Sequence, residues 1–160
     1  MVEDIKKIGT LRIDMTQSAA TLLDLAHSMG LYDIQKWVSE EDVQQFLDTK
    51  KWIAFIASDS EIGDGMPCGV VSIGIEEEGR LWIELIAVDE TYRRRGVATT
   101  LINCLIKWGQ TNKQRALFVD VDDDNYPAVN LYKSTGFRQA GKIDEYYYDS
   151  STAMVFVKKL

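Results

Sequence analysis

A basic turn with a glycine joins an apolar run to an amphipathic segment in the middle of the chain. Residues 82–88 are mostly apolar and partly β-branched, which is typical of a buried strand. Three arginines at positions 93–95 and Gly96 follow, and from Val97 the apolar residues recur with a helical period. The first N–H groups of a helix and the positive end of its dipole attract anions. The turn is therefore a candidate phosphate-binding loop, and the alternative is a solvated turn that carries surface arginines.

The anion predicted for this loop is a pyrophosphate held without a bound metal. Neither the Gly-Lys-Ser/Thr of a Walker loop nor the three glycines of a dinucleotide fingerprint are present. Asp122, Asp123 and Asp124 suggest a metal at first sight, but successive carboxylates are expected to diverge. No Cys-x-x-Cys or Cys/His spacing suggests a metal elsewhere. We predict a solvated acidic loop and no metal.

Glu84 is a carboxylate within an otherwise apolar predicted strand. Burying an unpaired carboxylate is costly or raises its pKa. One interpretation is a general base that takes a proton from an attacking group. The other is a structural partner of Arg80 or Arg115, and the sequence leaves both open. His27, the only histidine, falls in the first predicted helix and is expected to lie on a helix face.

These side chains are expected to be positioned by a mixed sheet with helices on both faces. Periodicity, caps and turn residues predict an α/β fold (an α+β mixed sheet) in the order β-α-α-β-β-β-α-β-α-β-β. Helices are predicted over 18–29, after a Ser39 cap, over 97–109, and from Pro127 to Gly136. Strands are predicted at 10–15, 52–57, 68–75, 80–88, 116–121, 137–140 and 146–158.

Composition limits the class of protein. The 160 residues, 46% of them hydrophobic, predict one globular domain over residues 1–160. A net charge of −7 disfavours general binding of nucleic acid. The longest apolar runs are interrupted before membrane-spanning length, and the N-terminus lacks a signal-peptide core, so we expect a cytoplasmic protein without membrane contact. Cys68 and Cys104 are expected to be buried free thiols.

Several groups of residues between positions 80 and 150 keep the order and spacing of a known family. They are Ile86-Ala87-Val88-Asp89, Arg93-Arg94-Arg95-Gly96-Val97-Ala98, Asn125 with Ala128, Leu131-Tyr132, Gly136-Phe137, and Asp144-Glu145-Tyr146-Tyr147. This half of the chain resembles the GNAT superfamily of N-acetyltransferases, and most closely its ribosomal-protein-alanine type. It departs from that pattern at Glu90, where proline is usual, and at Asp120, where the alanine-acetylating type has glutamate.

The resemblance implies acetyl-CoA as the co-substrate. The strand that ends at Val88 would separate from its neighbour near a bulge and hold the pantetheine arm as a surrogate strand. The arginine loop would wrap the pyrophosphate, and Asn125 would hydrogen-bond the pantetheine arm. From the residues alone, Gly96 could serve only the turn, and Asn125 could serve only as a helix N-cap. The implied cofactor-binding residues are Ile86, Ala87, Val88, Arg93, Arg94, Arg95, Gly96, Val97, Ala98, Asn125 and Ala128.

The resemblance also implies catalytic roles. Tyr132 would protonate the leaving thiolate, although by periodicity alone it reads as half-buried core. Asp120 occupies the position of the base and is one methylene shorter, which favours a relay through water. Glu84, four residues before Val88, stands where other branches of the superfamily place a base, and it competes with Asp120 for this role. Because Tyr146, Tyr147 and Tyr148 would alternate along the last strand, at least one of them is expected to face the amine acceptor. The alternative, which the sequence leaves open, is an amphipathic strand face without that role.

The implied function is acetyl transfer from acetyl-CoA to a primary amine, by direct attack in a ternary complex. The acceptor is a peptide or protein N-terminus or a small-molecule amine. A non-catalytic acyl-CoA-binding or sensing module with the same fold is the alternative, and an acidic interaction domain without a ligand is a third possibility. The sequence leaves the oligomeric state open, including a homodimer.

Overall fold

A computed structural model describes residues 11–62 and 64–160. The strands are β1 Leu11–Thr16, β2 Trp52–Asp59, β3 Met66–Ile75, β4 Arg80–Val88, β5 Ala116–Asp122, β6 Arg138–Ile143 and β7 Ala153–Lys159. The α-helices are α1 Ala19–Ser28, α2 Glu40–Asp48, α3 Val97–Thr111 and α4 Tyr126–Ser134. The predicted order of elements and the predicted mixed α/β fold are confirmed. Residue 10 of the first predicted strand, and the N-terminal residues 1–10 judged for a signal peptide, lie outside the described residues.

The strands form one sheet in the order β1-β2-β3-β4-β5-β7-β6. Neighbouring strands are antiparallel except β4 and β5, which are parallel. Buried residues of α1 and α2 pack on one face, and those of α3 and α4 pack on the other. The sheet is therefore covered on both faces, as predicted.

Local capping explains where the first two helices begin. The Ser18 hydroxyl accepts a hydrogen bond from the Thr21 N–H at 3.2 Å, and the Ser39 hydroxyl accepts one from the Asp42 N–H at 3.1 Å. Each bond satisfies an N–H group that has no partner within the helix. No helix in the described ranges combines the length and the apolar character needed to cross a membrane.

A β-bulge interrupts β4 at Glu84. Ser72 of β3 pairs with Leu85, and the next residue, Ile73, pairs with Ile83, so Glu84 has no partner on β3. The extra residue reverses the alternation of side chains along β4. Leu81 and Ile83 accordingly pack with α3, whereas Leu85 and Ala87 pack with α1 and α2.

Beyond the bulge, β4 separates from β5. Their pairing covers only three positions and ends at Trp82 and Phe118. β4 continues to Val88 and β5 continues to Asp122. The predicted splay near a bulge is thus present, and beyond it the β5-facing backbone of β4 has no strand partner among the residues that the structure describes.

The last predicted strand is wrong over its first half. β7 begins at Ala153, and the three tyrosines at 146–148 lie in the loop after β6. Positive φ angles of 53° at Glu145 and 64° at Ser150 turn this backbone. The N–H groups of Tyr146 and Tyr147 both donate to the Ser151 carbonyl, so the segment closes on itself instead of joining a ladder.

The cysteine prediction holds in part. Both cysteines are free thiols; Cys68 is buried in β3, but Cys104 on α3 is only partly buried.

Candidate active site

A cavity of about 590 Å³ lies between the end of β4, the start of α3, and α4, and we call it the α3–α4 cavity. Its lining is mostly apolar on the strand and helix walls and carries polar groups near the start of α3. Of the predicted cofactor-binding residues, it is lined by Ile86, Ala87, Val88, Arg93, Arg94, Gly96, Val97, Ala98 and Ala128. Tyr92, Thr99, Pro127, Asn130, Leu131 and Ser134 complete the lining.

The start of α3 supplies the polar end of this cavity. Gly96 precedes the helix with a φ of +86°, a left-handed conformation that favours glycine. The N–H groups of Val97, Ala98 and Thr99 belong to the first turn, where a helix offers them no carbonyl partner. All three residues line the cavity, so the helix dipole and these N–H donors make this end of the cavity favourable for an anion.

A second cavity, of about 690 Å³, opens on the other side of the splayed strand, and we call it the α1–α2 cavity. The segment between α1 and α2 forms one wall, and β4 and β5 form another. Ile86 lines both cavities, so they meet at the splay. The ionisable and aromatic side chains that line the α1–α2 cavity are Tyr32, Asp33, Trp37, Trp52, Glu84, Asp120, Tyr132 and Tyr147.

Asp120 is held by two donors. Trp82 Nε1 donates to Asp120 Oδ1 at 2.9 Å, and the Tyr147 hydroxyl donates to Oδ2 at 2.8 Å. Both carboxylate oxygens therefore accept a hydrogen bond from the protein. Partial burial and the bond to Asp120 raise the pKa of the Tyr147 hydroxyl, so Tyr147 stays a donor.

Glu84 has no hydrogen-bond or ion-pair partner within residues 11–62 and 64–160. The predicted structural pairing with Arg80 or Arg115 is absent there, and Arg80 Nε donates to the Glu77 carbonyl instead. The side chain keeps contact with solvent in the cavity, but protein crowds its other sides. This burial, with the Asp120 and Glu76 carboxylates, raises the pKa of Glu84 to about 7.

Tyr132 combines a buried ring with a place on the cavity wall. Only 2% of the residue is exposed, and its ring packs against Phe137 and Phe156. The residue nevertheless lines the α1–α2 cavity. Burial, and to a smaller degree the Asp120 carboxylate, raise the pKa of its hydroxyl. Tyr132 therefore keeps its proton at neutral pH.

Residues 17–137 match the model of the acetyltransferase (GNAT) family. The match covers more than half of the chain. The chain belongs to the GNAT acetyltransferase family. The matched residues of this GNAT protein include the whole lining of the α3–α4 cavity and all of the α1–α2 cavity lining except Tyr147.

Curated relatives and solved GNAT structures agree with the assignment. An N-alpha-acetyltransferase of Saccharolobus solfataricus is 36% identical over 77 residues, which cover 47% of this chain and 46% of that protein. The N-alpha-acetyltransferase 30 of Saccharomyces cerevisiae is 25% identical over 120 residues, 72% of this chain and 68% of that protein. The match thus spans about half the length of the archaeal relative.

The fold of this GNAT protein matches that of solved acetyltransferases. The structure of Arabidopsis thaliana NAA60 in complex with acetyl-CoA superposes with a TM-score of 0.78 at 23% identity, covering 94% of this chain and 99% of that one. The ribosomal-protein-S18-alanine N-acetyltransferase of Escherichia coli superposes with a TM-score of 0.73 at 20% identity, covering 94% of each chain. The predicted fold of the family is confirmed.

The three arginines of the GNAT loop have different surroundings. The Arg93 guanidinium donates to the carbonyls of Val88 and Met29 at 3.1 and 3.0 Å. Although Arg93 lines the cavity, its side chain also joins two backbone segments. Arg95 lies over the Tyr92 ring, 5.5 Å from its centroid, and does not line the α3–α4 cavity. Arg94 lines the cavity and has no hydrogen bond to the described residues.

Asn125 and the acidic run beside it also differ from expectation. Asn125 Oδ1 accepts from the Ala128 N–H at 3.2 Å as the N-cap of α4, and the residue is not in the lining of the α3–α4 cavity. The carboxylates of Asp122, Asp123 and Asp124 each bring an oxygen within 4.8 Å of one another, so the predicted divergence is wrong. Asp122 is occupied by the Ser151 hydroxyl and the Asp124 N–H; that no metal binds stays a prediction.

Sequence reasoning missed one wall of the second cavity. Tyr32, Asp33 and Trp37 come from the segment between α1 and α2, which carries no family motif. Trp37 reaches Tyr148 of the β6–β7 loop with ring centroids 4.3 Å apart. The signal that could have found it is two large aromatics in a short connection between amphipathic helices, where no core needs them.

Proposed function

We propose that this protein transfers the acetyl group of acetyl-CoA to the primary amine of a peptide N-terminus. The observation that carries the proposal is the meeting of two cavities at a splayed strand. The α3–α4 cavity has an anion-attracting end, and the α1–α2 cavity has carboxylates and a proton-bearing tyrosine. Such an arrangement can hold the acetyl donor in one cavity and the amine acceptor in the other, with the thioester placed between them.

The α3–α4 cavity fits acetyl-CoA in two respects. Its apolar walls, which include Val88 and Ala128, suit a pantetheine arm. The first-turn N–H groups of α3 and the Arg94 guanidinium suit a pyrophosphate. When bound, acetyl-CoA supplies the acetyl thioester. The unpaired N–H groups of β4 beyond the splay would then polarise the thioester carbonyl.

Glu84 is the better candidate for the base. Both oxygens of Asp120 already accept hydrogen bonds from the protein, whereas the Glu84 carboxyl is free of protein partners among the described residues. A pKa of about 7 also suits proton transfer at neutral pH. In this proposal Glu84 accepts the proton of the amine, directly or through one water. Asp120 orients Tyr147 in the α1–α2 cavity.

Tyr132 is the candidate proton donor. Its hydroxyl keeps its proton because the surrounding core raises its pKa. As the amine attacks and the bond from carbon to sulfur breaks, the hydroxyl donates to the departing sulfur. The ring contacts with Phe137 and Phe156 hold it in one orientation.

The free-energy cost of deprotonating the amine favours an α-amino group as the acceptor. Moving a proton from an α-amino group of pKa about 8 to a carboxylate of pKa about 7 costs about 1.4 kcal/mol. From a lysine-like amine of pKa about 10.4 the cost is about 4.6 kcal/mol. The cavity lining has carboxylates and, within the described residues, neither Lys nor Arg to receive a carboxylate such as that of a free amino acid. The names of the N-alpha-acetyltransferase relatives support the same choice.

The test is an acceptor panel with purified protein and acetyl-CoA. The panel contains a peptide with a free N-terminus and an internal lysine, the same peptide with a blocked N-terminus, spermidine and a free amino acid. Thiol release and the mass of each product are measured. We expect acetylation of the free N-terminus, and little of the blocked peptide.

Each other outcome has a defined meaning. Preferential acetylation of spermidine would replace the peptide with a small amine. Calorimetric binding of CoA without turnover on any acceptor would favour the non-catalytic acyl-CoA-binding module. No binding of CoA at all would overturn the proposal.

A further inference from the structure

The Glu84 carboxyl occupies space that a side chain at position 74 would need. A Cβ built on Gly74 would lie 2.5 Å from Glu84 Oε1, 3.3 Å from Cδ and 3.4 Å from Cγ. The backbone of Gly74 is not in the left-handed region, so nothing in its conformation requires glycine. What the position requires is room for the neighbouring carboxyl.

Two tryptophans stand on either side of this space. Gly74 pairs with Trp52 of β2 and with Trp82 of β4. Directly paired residues project from the same face of a sheet, so Gly74 is a gap between two large rings. We call this gap the Gly74 slot. The Glu84 side chain leaves the strand at the bulge and enters the slot, beside the α1–α2 cavity that both residues 52 and 84 line.

We propose that Gly74 is a positioning residue, whose missing side chain seats the Glu84 carboxyl in the slot and so sets the pH range in which the amine is deprotonated. The inference rests on the proposed function, because Glu84 acts there as the base. Gly74 is in the lining of neither cavity and acts only through Glu84.

Several other ionisable groups share the surroundings of Glu84. Asp120 projects from β5, Glu76 follows β3, and Tyr146 and Tyr147 come from the β6–β7 loop. Asp33 and Tyr132 line the same cavity from the α1–α2 segment and from α4. Burial is the largest cause of the raised pKa of Glu84, ahead of the two carboxylates. Moving the carboxyl out of the slot towards solvent therefore lowers its pKa towards the usual value.

The experiment compares Gly74→Ala with Gly141→Ala. Gly141 lies in β6, where an added Cβ meets no heavy atom of the described residues within 4 Å, so it controls for placing alanine in a strand. In Gly74→Ala the closest atom is the far end of a flexible side chain, which can move without unfolding the protein. Thermal melting of both variants verifies the fold. The rate constant kcat for the free N-terminus peptide is then measured from pH 5.5 to 9.

We expect Gly74→Ala to lower kcat on the alkaline plateau by about tenfold or more, since misplacing a catalytic group by about 1 Å has effects of that size. The midpoint of the acidic limb moves below pH 7 by about half a unit or more, because the carboxyl loses the protein contacts of the slot and gains solvent. Gly141→Ala changes neither quantity. In a Glu84→Gln background, the Gly74→Ala change has no further effect on kcat.

A titration separates this inference from the proposed function. The carboxyl carbon of Glu84 is followed by NMR, and its signal is identified by its loss in Glu84→Gln. We expect the Glu84 pKa to fall in Gly74→Ala and to stay in Gly141→Ala, whether or not the protein turns over substrate.

If the wild-type protein acetylates its acceptor and Gly74→Ala has the kcat, midpoint and titration of the control, the inference is wrong. The inference is also wrong if Gly74→Ala lowers kcat by the same factor in the wild-type protein and in the Glu84→Gln background. If no acceptor is acetylated, the proposed function fails and the catalytic part of the inference fails with it, while the titration still tests the seat of Glu84.

Discussion

The Arg93 guanidinium joins two backbone segments, donating from Nη2 to the Met29 carbonyl at 3.0 Å while its Nε donates to the Val88 carbonyl at 3.1 Å. Met29 is the C-cap of α1 and comes immediately before Gly30 and Leu31, which line the α1–α2 cavity. Val88 ends β4 and lines the α3–α4 cavity. One side chain therefore fixes a wall of each cavity relative to the other.

Replacing Arg93 with methionine is expected to weaken the fold and both cavities together. The two carbonyls lose their charged donor, which lowers the free energy of unfolding by about 1–3 kcal/mol. The KM values for acetyl-CoA and for the amine should both rise. Urea denaturation and steady-state kinetics measure these effects.

Arg94→Met is the matched comparison. Arg94 lines the α3–α4 cavity without a hydrogen bond to the described residues, so its loss should raise the KM for acetyl-CoA and leave the free energy of unfolding within about 0.5 kcal/mol of wild type. Equal destabilisation by the two substitutions would contradict the structural role given to Arg93.

Tyr132→Phe should reduce turnover without loosening the core. The phenylalanine ring keeps the contacts with Phe137 and Phe156, and only the hydroxyl is removed. Loss of a positioned proton donor lowers kcat by about 10²–10⁴-fold, whereas CoA binding measured by calorimetry should not change. An unchanged kcat would show that Tyr132 has only a structural role in the core.

The pH dependence of activity should follow Glu84. Because the Glu84 pKa is about 7 and the base must be ionised, kcat should rise as pH increases through 7. In Glu84→Gln the rise near pH 7 should disappear, and kcat above pH 8 should fall by about 10²-fold or more. A Glu84→Gln profile with the wild-type midpoint would assign the base to another group.

The ionisation of Glu84 should lower the stability of the folded protein as pH rises, whereas it raises kcat. The folded-state pKa of about 7 exceeds the ordinary value of 4.5, so the folded protein binds more protons than the unfolded chain between these values. Stability from this group is present below pH 4.5 and is lost as pH rises through 7. Glu84→Gln should therefore raise Tm relative to wild type at pH 8 and have less effect on Tm at pH 5. Calorimetric melting at both pH values checks the sign.

Tyr147 and Tyr148 offer a matched pair in one loop. The Tyr147 hydroxyl donates to Asp120 in the α1–α2 cavity, whereas the Tyr148 ring is 86% exposed and packs on Trp37. Tyr147→Phe removes a hydrogen bond to a charged group, which contributes about 1.5–3 kcal/mol, and should therefore raise the KM for the amine by about tenfold or more. Tyr148→Phe keeps the ring contact and should leave this KM within about twofold. Equal effects would mean that the bond to Asp120 does not orient the site.

The sequence by itself determined the order of the elements and the place of the glycine turn before α3. Ser18, Ser39 and Gly96 set helix starts through contacts within a few residues, and apolar periodicity follows from whichever face of an element meets a core. The motif around Tyr132 indicated the family for a similar reason, because its residues lie within one or two turns of the same helix.

Only the tertiary structure decided which polar groups meet. Asp120 takes its partners Trp82 and Tyr147 from positions 38 and 27 residues away, and the Arg93 partner Met29 is 64 residues distant. Whether a carboxylate is held or left free depends on such distant donors, so the sequence could not choose between Glu84 and Asp120. The family resemblance implied a bulge near this strand, but its position at Glu84 follows from pairing across the sheet, and the turn through the three tyrosines follows from loop closure. No single-strand pattern encodes either one.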